Sequence, residues 1–470
     1  MTDLEGQSRS RQAARSRANE CAPESQETVK PAAHGLHPFD ARRALAGTLA
    51  TNSAILLSGI VTGILVARLL GPANRGALAA VLFWPQLIAT LAFLSLNEAT
   101  VYHVGQKPAC AAQIGTAALL AAIVLAVMAA SVAYLILPGL LGVERASLWA
   151  TARLYAVVSL PFQYVFLARN AVDWGRLRFG PHNLFRVIVP LLYLLGVVVL
   201  AATHRVTVFS VVMASLAAVI IGAVVRVSAG WTAIDWQTGA GEIKSLLRTG
   251  WRFHAITVFL VLSTQIDRLV VIRFFSDSVV GYYMVAFTIA SAGLGVIGAA
   301  FSRVLLPRLV SAGGDRSAQA LILSRGIRAA MLLLFAVGAV LAVIAPQLVV
   351  LLFGHKFAPA GRIVRWLLIA YWLAGVREIV VYSIRGLGET RTGTIAQALM
   401  LGSFLLVAWP AIDQWGLAGL IGSLIIANIL ATVYLFTFLG RHYELAVLDL
   451  WGMGPKTVAE LMREVRLWRS

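Results

Sequence analysis

The sequence predicts an all-α integral membrane protein, with about twelve transmembrane helices in two parallel six-helix repeats. Composition is the first reason. Of 470 residues, 59% are hydrophobic and 13% charged, where a soluble domain carries about 25% charged residues. The second reason is a series of apolar runs, each near the roughly 20 residues that cross a bilayer. The third is an internal duplication of two joints between those runs.

The runs have cores at 46–67, 77–101, 112–137, 148–168, 183–202, 206–227, 253–275, 279–304, 328–353, 363–385, 393–412 and 415–439. Residues 1–43 precede them. This stretch is polar and basic (SRSRQAARSRANE), lacks the apolar segment of a signal peptide, and reads as a disordered cytoplasmic tail. Residues 44–230 hold the first six runs and 253–440 the second six, as two lobes. Residues 231–252 form a cytoplasmic linker between them. Its Trp231, Trp236, Ile243, Leu246 and Leu247 suit a membrane surface. Residues 441–470 form a cytoplasmic amphipathic tail, with Val458, Leu461, Met462 and Val465 on one face. Pro85, Pro161, Pro190 and Pro346 fall inside runs, where each removes a backbone donor and bends its helix.

A net charge of +18 first points to nucleic acid, but the distribution excludes it. About 27 Lys/Arg fall in loops and tails on one side and about 7 on the other, the asymmetry of the positive-inside rule. Both termini are therefore expected in the cytoplasm. The two cysteines, Cys21 and Cys110, point to neither a disulfide nor a metal site. No cofactor is expected.

The duplication is visible by eye. Ile64-Leu-Val-Ala-Arg68-Leu-Leu-Gly-Pro-Ala-Asn-Arg-Gly76 aligns with Leu269-Val-Val-Ile-Arg273-Phe-Phe-Ser-Asp-Ser-Val-Val-Gly281. Trp174-Gly175-Arg-Leu-Arg178-Phe-Gly180 aligns with Leu387-Gly388-Glu-Thr-Arg391-Thr-Gly393. The first match joins runs one and two to seven and eight; the second joins four and five to ten and eleven. Parallel repeats of this kind build transporters, with a substrate path at the repeat interface. Arg68 and Arg273 suit helix ends, where a guanidinium reaches headgroups or caps carbonyls. Gly76 and Gly281 suit a tight reversal and close helix contact.

The stretch ILLSGIVTGILVARLLGPANRGALAAVL, with QIDRLVVIRFFSDSVVGYYMVAFTIA, resembles the polysaccharide-exporter branch of the multidrug/oligosaccharidyl-lipid/polysaccharide flippase superfamily. The resemblance covers about residues 44–440. It implies two lobes around a central cavity, alternating access, and a bacterial inner-membrane location. It also implies a lipid-linked substrate such as an undecaprenyl-diphosphate oligosaccharide. Membrane lipids, a polysaccharide polymerase and glycosyltransferases are the implied partners.

Such a substrate is anionic at its neck and polar at its head. Arginine stays charged and forks onto phosphate oxygens. Arg153, Arg268 and Arg377 are thus the candidate substrate-binding cations, with snorkelling or structural pairing as the alternative for each. Asp267 is the candidate ion-coupling residue; a buried partner for a neighbouring arginine is the other reading. Glu98 and Arg303 each lie 22 residues after a repeat glycine, Gly76 and Gly281. As symmetry mates of opposite charge they are candidates for a gate. Arg377 and Glu378 are adjacent and point about 100° apart on a helix, so they are not expected to neutralise each other.

No phosphate-cradling glycine loop, H-E-x-x-H or nucleotide-binding domain is present, which argues against an enzyme. Two rivals to a flippase remain. A cation-coupled exporter of small amphipathic molecules would favour an acidic cavity. A non-transporting scaffold of an envelope-glycan complex would tolerate loss of cavity charges.

Overall fold

A computed structural model describes residues 38–229, 239–313, 315–387 and 389–443. The tails, apart from 38–43 and 441–443, lie outside the described residues, as does linker stretch 230–238. So do the side chains of residues 38–42, 299, 303, 307, 386 and 390. The helices are α1 (Pro38–Ala92), α2 (Leu96–Gln106), α3 (Ala111–Leu141), α4 (Trp149–Gly175), α5 (Phe179–Ala202) and α6 (Val208–Ser228). They continue as α7 (Ala240–Phe274), α8 (Asp277–Ser311), α9 (Arg316–Phe353), α10 (Ala360–Gly386) and α11 (Thr390–Tyr443). Short 3₁₀ turns cover Pro108–Cys110, Val143–Leu148 and His355–Phe357.

Among the described residues, nine helices are long and apolar enough to cross a membrane. Two are pairs of spans. α1 has 55 residues and α11 has 54, or roughly 80 Å each if straight at 1.5 Å per residue. α1 breaks at Gly71 (φ 74°) and α11 at Gly416 (φ 55°), a backbone region that costs a side chain but not glycine. At the second break the chain reverses. A Cβ on Gly419 would sit 1.9 Å from the Ala411 carbonyl oxygen, whereas residues eight apart on a continuous helix are about 12 Å apart. With α4, which carries Arg153, Arg169 and Asp173, each of the twelve expected runs falls mainly on helix among the described residues.

One span departs from expectation. The run at 77–101 is interrupted at Phe93–Ser95, and Leu94 and Ser95 both adopt φ 52°. No Gly or Pro marks the break in sequence, so hydropathy reads straight through it. Cys21, one of the two cysteines, lies outside the described residues.

The packing follows membrane rules. α3 and α4 pack through small residues: Ala117, Ala118, Ala121, Ala122, Ala126 and Ala133 are buried, letting backbones approach closely. Leu135, Val343 and Leu406 are exposed, as lipid-facing positions should be where hydrocarbon is the solvent.

The described chain forms two compact units. The first combines residues up to 62 with 80–257, and the second combines 63–79 with 258 onward. The expected lobes were contiguous. Instead, 63–79 pack with the second unit, and 240–257 of α7 belong to the first. The exchange at 63–79 has a visible cause. A Cβ on Gly76 would lie 1.8 Å from the Asp277 carbonyl oxygen, and one on Gly281 would lie 2.1 Å from the Pro72 carbonyl oxygen. The repeat-related glycines thus pack backbone to backbone. Arg68 reinforces the contact by donating to the carbonyls of Leu351 and Leu352 (2.6 Å from Nε to Leu352) in the last turn of α9.

Candidate functional site

The second unit holds a cavity of about 700 Å³ between α7, α8, α10 and α11, within the range of ligand sites. Leu260, Leu294, Leu306, Met400 and Leu424 give it apolar walls. Its polar lining comes from Ser263, Thr264, Asp267, Ser302, Tyr371, Arg377, Glu378, Tyr382 and Asn428.

Arg377 is 1% exposed, in the middle of α10. Its Nη2 donates to Glu378 Oε1 at 2.9 Å and its Nη1 to Gln397 Oε1 at 2.9 Å. Gln397 Nε2 in turn donates to the same Glu378 oxygen at 3.2 Å. The adjacent pair therefore does neutralise itself, against expectation. Both side chains are long enough to cover the angle between their Cβ directions, and Gln397 of α11 holds them together. Arg377 Nε remains buried without a hydrogen-bond partner, and so does Asn428 Oδ1. Asn428 spends its amide nitrogen on the Leu424 carbonyl at 2.8 Å. One donor and one acceptor, both on cavity-lining residues, are thus unspent.

Asp267 is 4% exposed. Its Oδ2 accepts from the Tyr283 hydroxyl at 2.7 Å and the Tyr371 hydroxyl at 3.3 Å. Arg268 Nε lies 3.9 Å from its Oδ1. Arg268 does not line the cavity. Its guanidinium sits 4.3 Å over the Phe287 ring and donates to the Thr264 carbonyl at 3.0 Å. The cavity and its neighbour Arg268 are therefore balanced, two carboxylates against two guanidinia.

Arg153 lies in the first unit and has a different occupation. Pro138, inside α3, offers no N–H to the carbonyl of Tyr134 one turn earlier. Arg153 Nε supplies that donor at 2.9 Å, with its guanidinium 4.4 Å over the Tyr134 ring. The second unit repeats the device. Pro346 in α9 leaves the Ala342 carbonyl without its helical donor, and Arg365 Nε supplies it at 3.0 Å. Each helix then ends on a glycine of near-identical conformation, Gly142 (φ 79°, ψ 164°) and Gly354 (φ 90°, ψ 166°).

Glu98 is on α2, in the first unit, where Oε2 is buried with no hydrogen-bond partner. Arg303 is on α8, and its side chain lies outside the described residues. Among the described residues, no group of three His, Cys, Asp or Glu is placed to hold a metal ion.

Sequence reasoning singled out Asp267, Arg377 and Glu378 but missed Tyr283, Tyr371, Gln397 and Arg365. The repeat carried a signal for Arg365: Arg153 and Arg365, like Gly142 and Gly354, are 212 residues apart.

The fold is shared with known carriers. The chain superimposes on the lipid II flippase MurJ in an inward closed conformation, with TM-score 0.74 and 13% identity, over 88% of this chain and 91% of that one. It superimposes on an inward-facing multidrug resistance MATE family transporter of the MOP superfamily, with TM-score 0.63 and 18% identity, over 85% and 96%. A MOP superfamily transporter from Pyrococcus furiosus matches with TM-score 0.54 and 17% identity, over 90% and 100%. No curated protein matches the sequence significantly. A family model described as polysaccharide biosynthesis protein matches residues 65–362, more than half of the chain. The chain therefore belongs to the polysaccharide biosynthesis protein family.

Proposed function

We propose that the protein flips a lipid-linked oligosaccharide, undecaprenyl-diphosphate-linked, across the bacterial inner membrane for surface polysaccharide export. It works by alternating access without covalent chemistry, with both termini cytoplasmic. The observation that carries the site assignment is the unspent donor and acceptor, Arg377 Nε and Asn428 Oδ1, on residues lining one cavity whose two carboxylates are balanced by Arg377 and the neighbouring Arg268. A sugar hydroxyl both donates and accepts, so it suits either kind of group, and leaving buried polar groups unpaired costs about 1–3 kcal/mol each. Balanced charge favours the neutral sugar head over the diphosphate as the group read there. It also argues against a small organic cation: Glu378 is spent on Arg377 and Gln397, and Asp267 on two tyrosines.

Of the three candidate arginines, Arg377 is the one we keep for substrate. Arg153 is spent on a helix, and Arg268 on Phe287 and Thr264. Glu98 and Arg303 remain the proposed gate at the cytoplasmic end; reversing one charge should block export, and reversing both should restore part of it.

The test is equilibrium binding to the purified protein. Undecaprenyl-diphosphate oligosaccharide is compared with undecaprenyl diphosphate lacking sugar. Arg377→Gln with Asn428→Leu should weaken the glycosylated lipid about tenfold more than the bare one, equivalent to about 1.4 kcal/mol. Equal weakening of both ligands, or of neither, would remove the sugar from this cavity.

A further inference from the structure

We propose that the second unit binds an anionic phospholipid at the C-terminal end of α9, with its phosphate on Lys356, Arg362 and Arg365 and an acyl chain along the helix. The groove for the chain is the first observation. It has a volume of about 690 Å³ and follows the face of α9 that Ile344, Gln347, Leu348 and Leu351 share, beside Pro346. Residues at these spacings are neighbours on a helix surface. Ile344 and Leu351 are exposed. No residue of the groove lines the sugar cavity, so the groove is a lipid-facing surface separate from it.

Two guanidinia are fixed on its borders. Arg365 donates to the Ala342 carbonyl at 3.0 Å, one turn before Pro346. Arg68 donates to the carbonyls of Leu351 and Leu352. A guanidinium carries more N–H donors than these bonds use. Lys356 and Arg362 are exposed on the 3₁₀ turn and the first turn of α10 that follow. Trp366, next to Arg365, is 55% exposed, and tryptophan collects at the headgroup level of a membrane.

No nearby acid in sequence offsets these cations: there is no Asp or Glu between Asp315 and Glu378. Nor does the repeat account for them. At the 212-residue offset that relates Arg153 to Arg365, Lys356 stands where the first unit has Glu144, and Arg362 where it has Ala150. The first unit thus keeps the arginine that serves its helix and lacks the cations around it. Membrane insertion does not account for them either. The orientation proposed above puts this end outside, where the positive-inside rule disfavours Lys and Arg. An apolar groove that ends in cations matches a phosphate with a hydrocarbon tail. A zwitterionic headgroup would bring one more cation among them, which selects an anionic lipid. The binding test depends neither on transport nor on orientation.

The experiment is thermal unfolding of the purified full chain in neutral detergent, at fixed pH and ionic strength. Phosphatidylglycerol is titrated against phosphatidylcholine, and glycerol 3-phosphate serves as a headgroup without a tail. The wild type should show a saturable rise in Tm with phosphatidylglycerol that neither reference reproduces. Lys356→Gln with Arg362→Gln should right-shift that titration about tenfold. Arg205→Gln, which removes a cation from the loop before α6 in the first unit, should leave it intact. Arg365 stays in place throughout because the Ala342 carbonyl depends on it. Four results would overturn the proposal: an equal rise with phosphatidylcholine, an unshifted titration in the double variant, the same shift in Arg205→Gln, or an equal rise with glycerol 3-phosphate, which would remove the acyl chain from the groove.

Discussion

Arg153→Ala removes the guanidinium that feeds the Tyr134 carbonyl, and Arg365→Ala does the same at Ala342. The carbonyls have no substitute donor, since Pro138 and Pro346 occupy the positions whose N–H would serve them. A charged hydrogen bond contributes about 1.5–3 kcal/mol. Arg365 is exposed and Arg153 half-buried, so water or headgroups reach both, and about 1–2 kcal/mol is expected for each. Arg153 adds its stacking on Tyr134 at 4.4 Å, worth about 0.5–1 kcal/mol. The assay is a double-mutant cycle by denaturant unfolding in mixed micelles. Pro138→Ala returns the helical N–H to Tyr134, so Arg153→Ala in that background should cost about 1 kcal/mol less than in the wild type. The same cycle should hold for Arg365 with Pro346. The two arginines share no partner, so their single costs should add. Zero coupling in both cycles would refute the idea that these arginines replace a lost helical bond.

Gly76→Ala and Gly281→Ala should each be severely destabilising, at least about 1–3 kcal/mol. The new methyl meets backbone at 1.8 and 2.1 Å, while Gly63→Ala, with nothing within 4 Å, should be tolerated; thermal unfolding of the three variants decides it. The His103 imidazole is held below its ordinary value, first by burial and then by the Lys107 charge. A lowered folded value means stability is complete above the unfolded value of about 6.5 and is lost as pH falls below it. Tm should therefore drop between pH 7.5 and 5.5, and His103→Gln should flatten that slope. Asp267→Asn should leave the pH dependence of transport unchanged, because the carboxylate is clamped by Tyr283 and Tyr371; a shifted profile would return Asp267 to ion coupling.

Twelve apolar runs and a duplication were legible in the sequence because both rest on properties local to each run. Apolar length and charge placement set the spans, and Arg68/Arg273 with Gly76/Gly281 marked the repeat. The glycine contacts themselves were half legible. Their smallness was expected, but not that each repeat glycine packs against the other repeat's joint, since a sequence match does not say which surfaces meet. Leu94 and Ser95 break a helix with residues that favour no break, so nothing in composition announced them. The site residues were least legible. A charge at bilayer depth is visible, but its partner is not: Arg153 looked like Arg377 in sequence, and only Pro138 and Gln397 distinguish their roles. Arg365 lay at the repeat offset of Arg153 and was open to detection by carrying the alignment through spans three, four, nine and ten.

The most direct measurement is the leaflet distribution of lipid-linked oligosaccharide in cells depleted of the protein, with rescue by wild type, by Arg153→Ala and by Arg377→Gln with Asn428→Leu at matched protein levels. The expected result is cytoplasmic-leaflet accumulation, relieved by wild type and by Arg153→Ala but not by the cavity variant. No accumulation on depletion would contradict the flippase assignment outright.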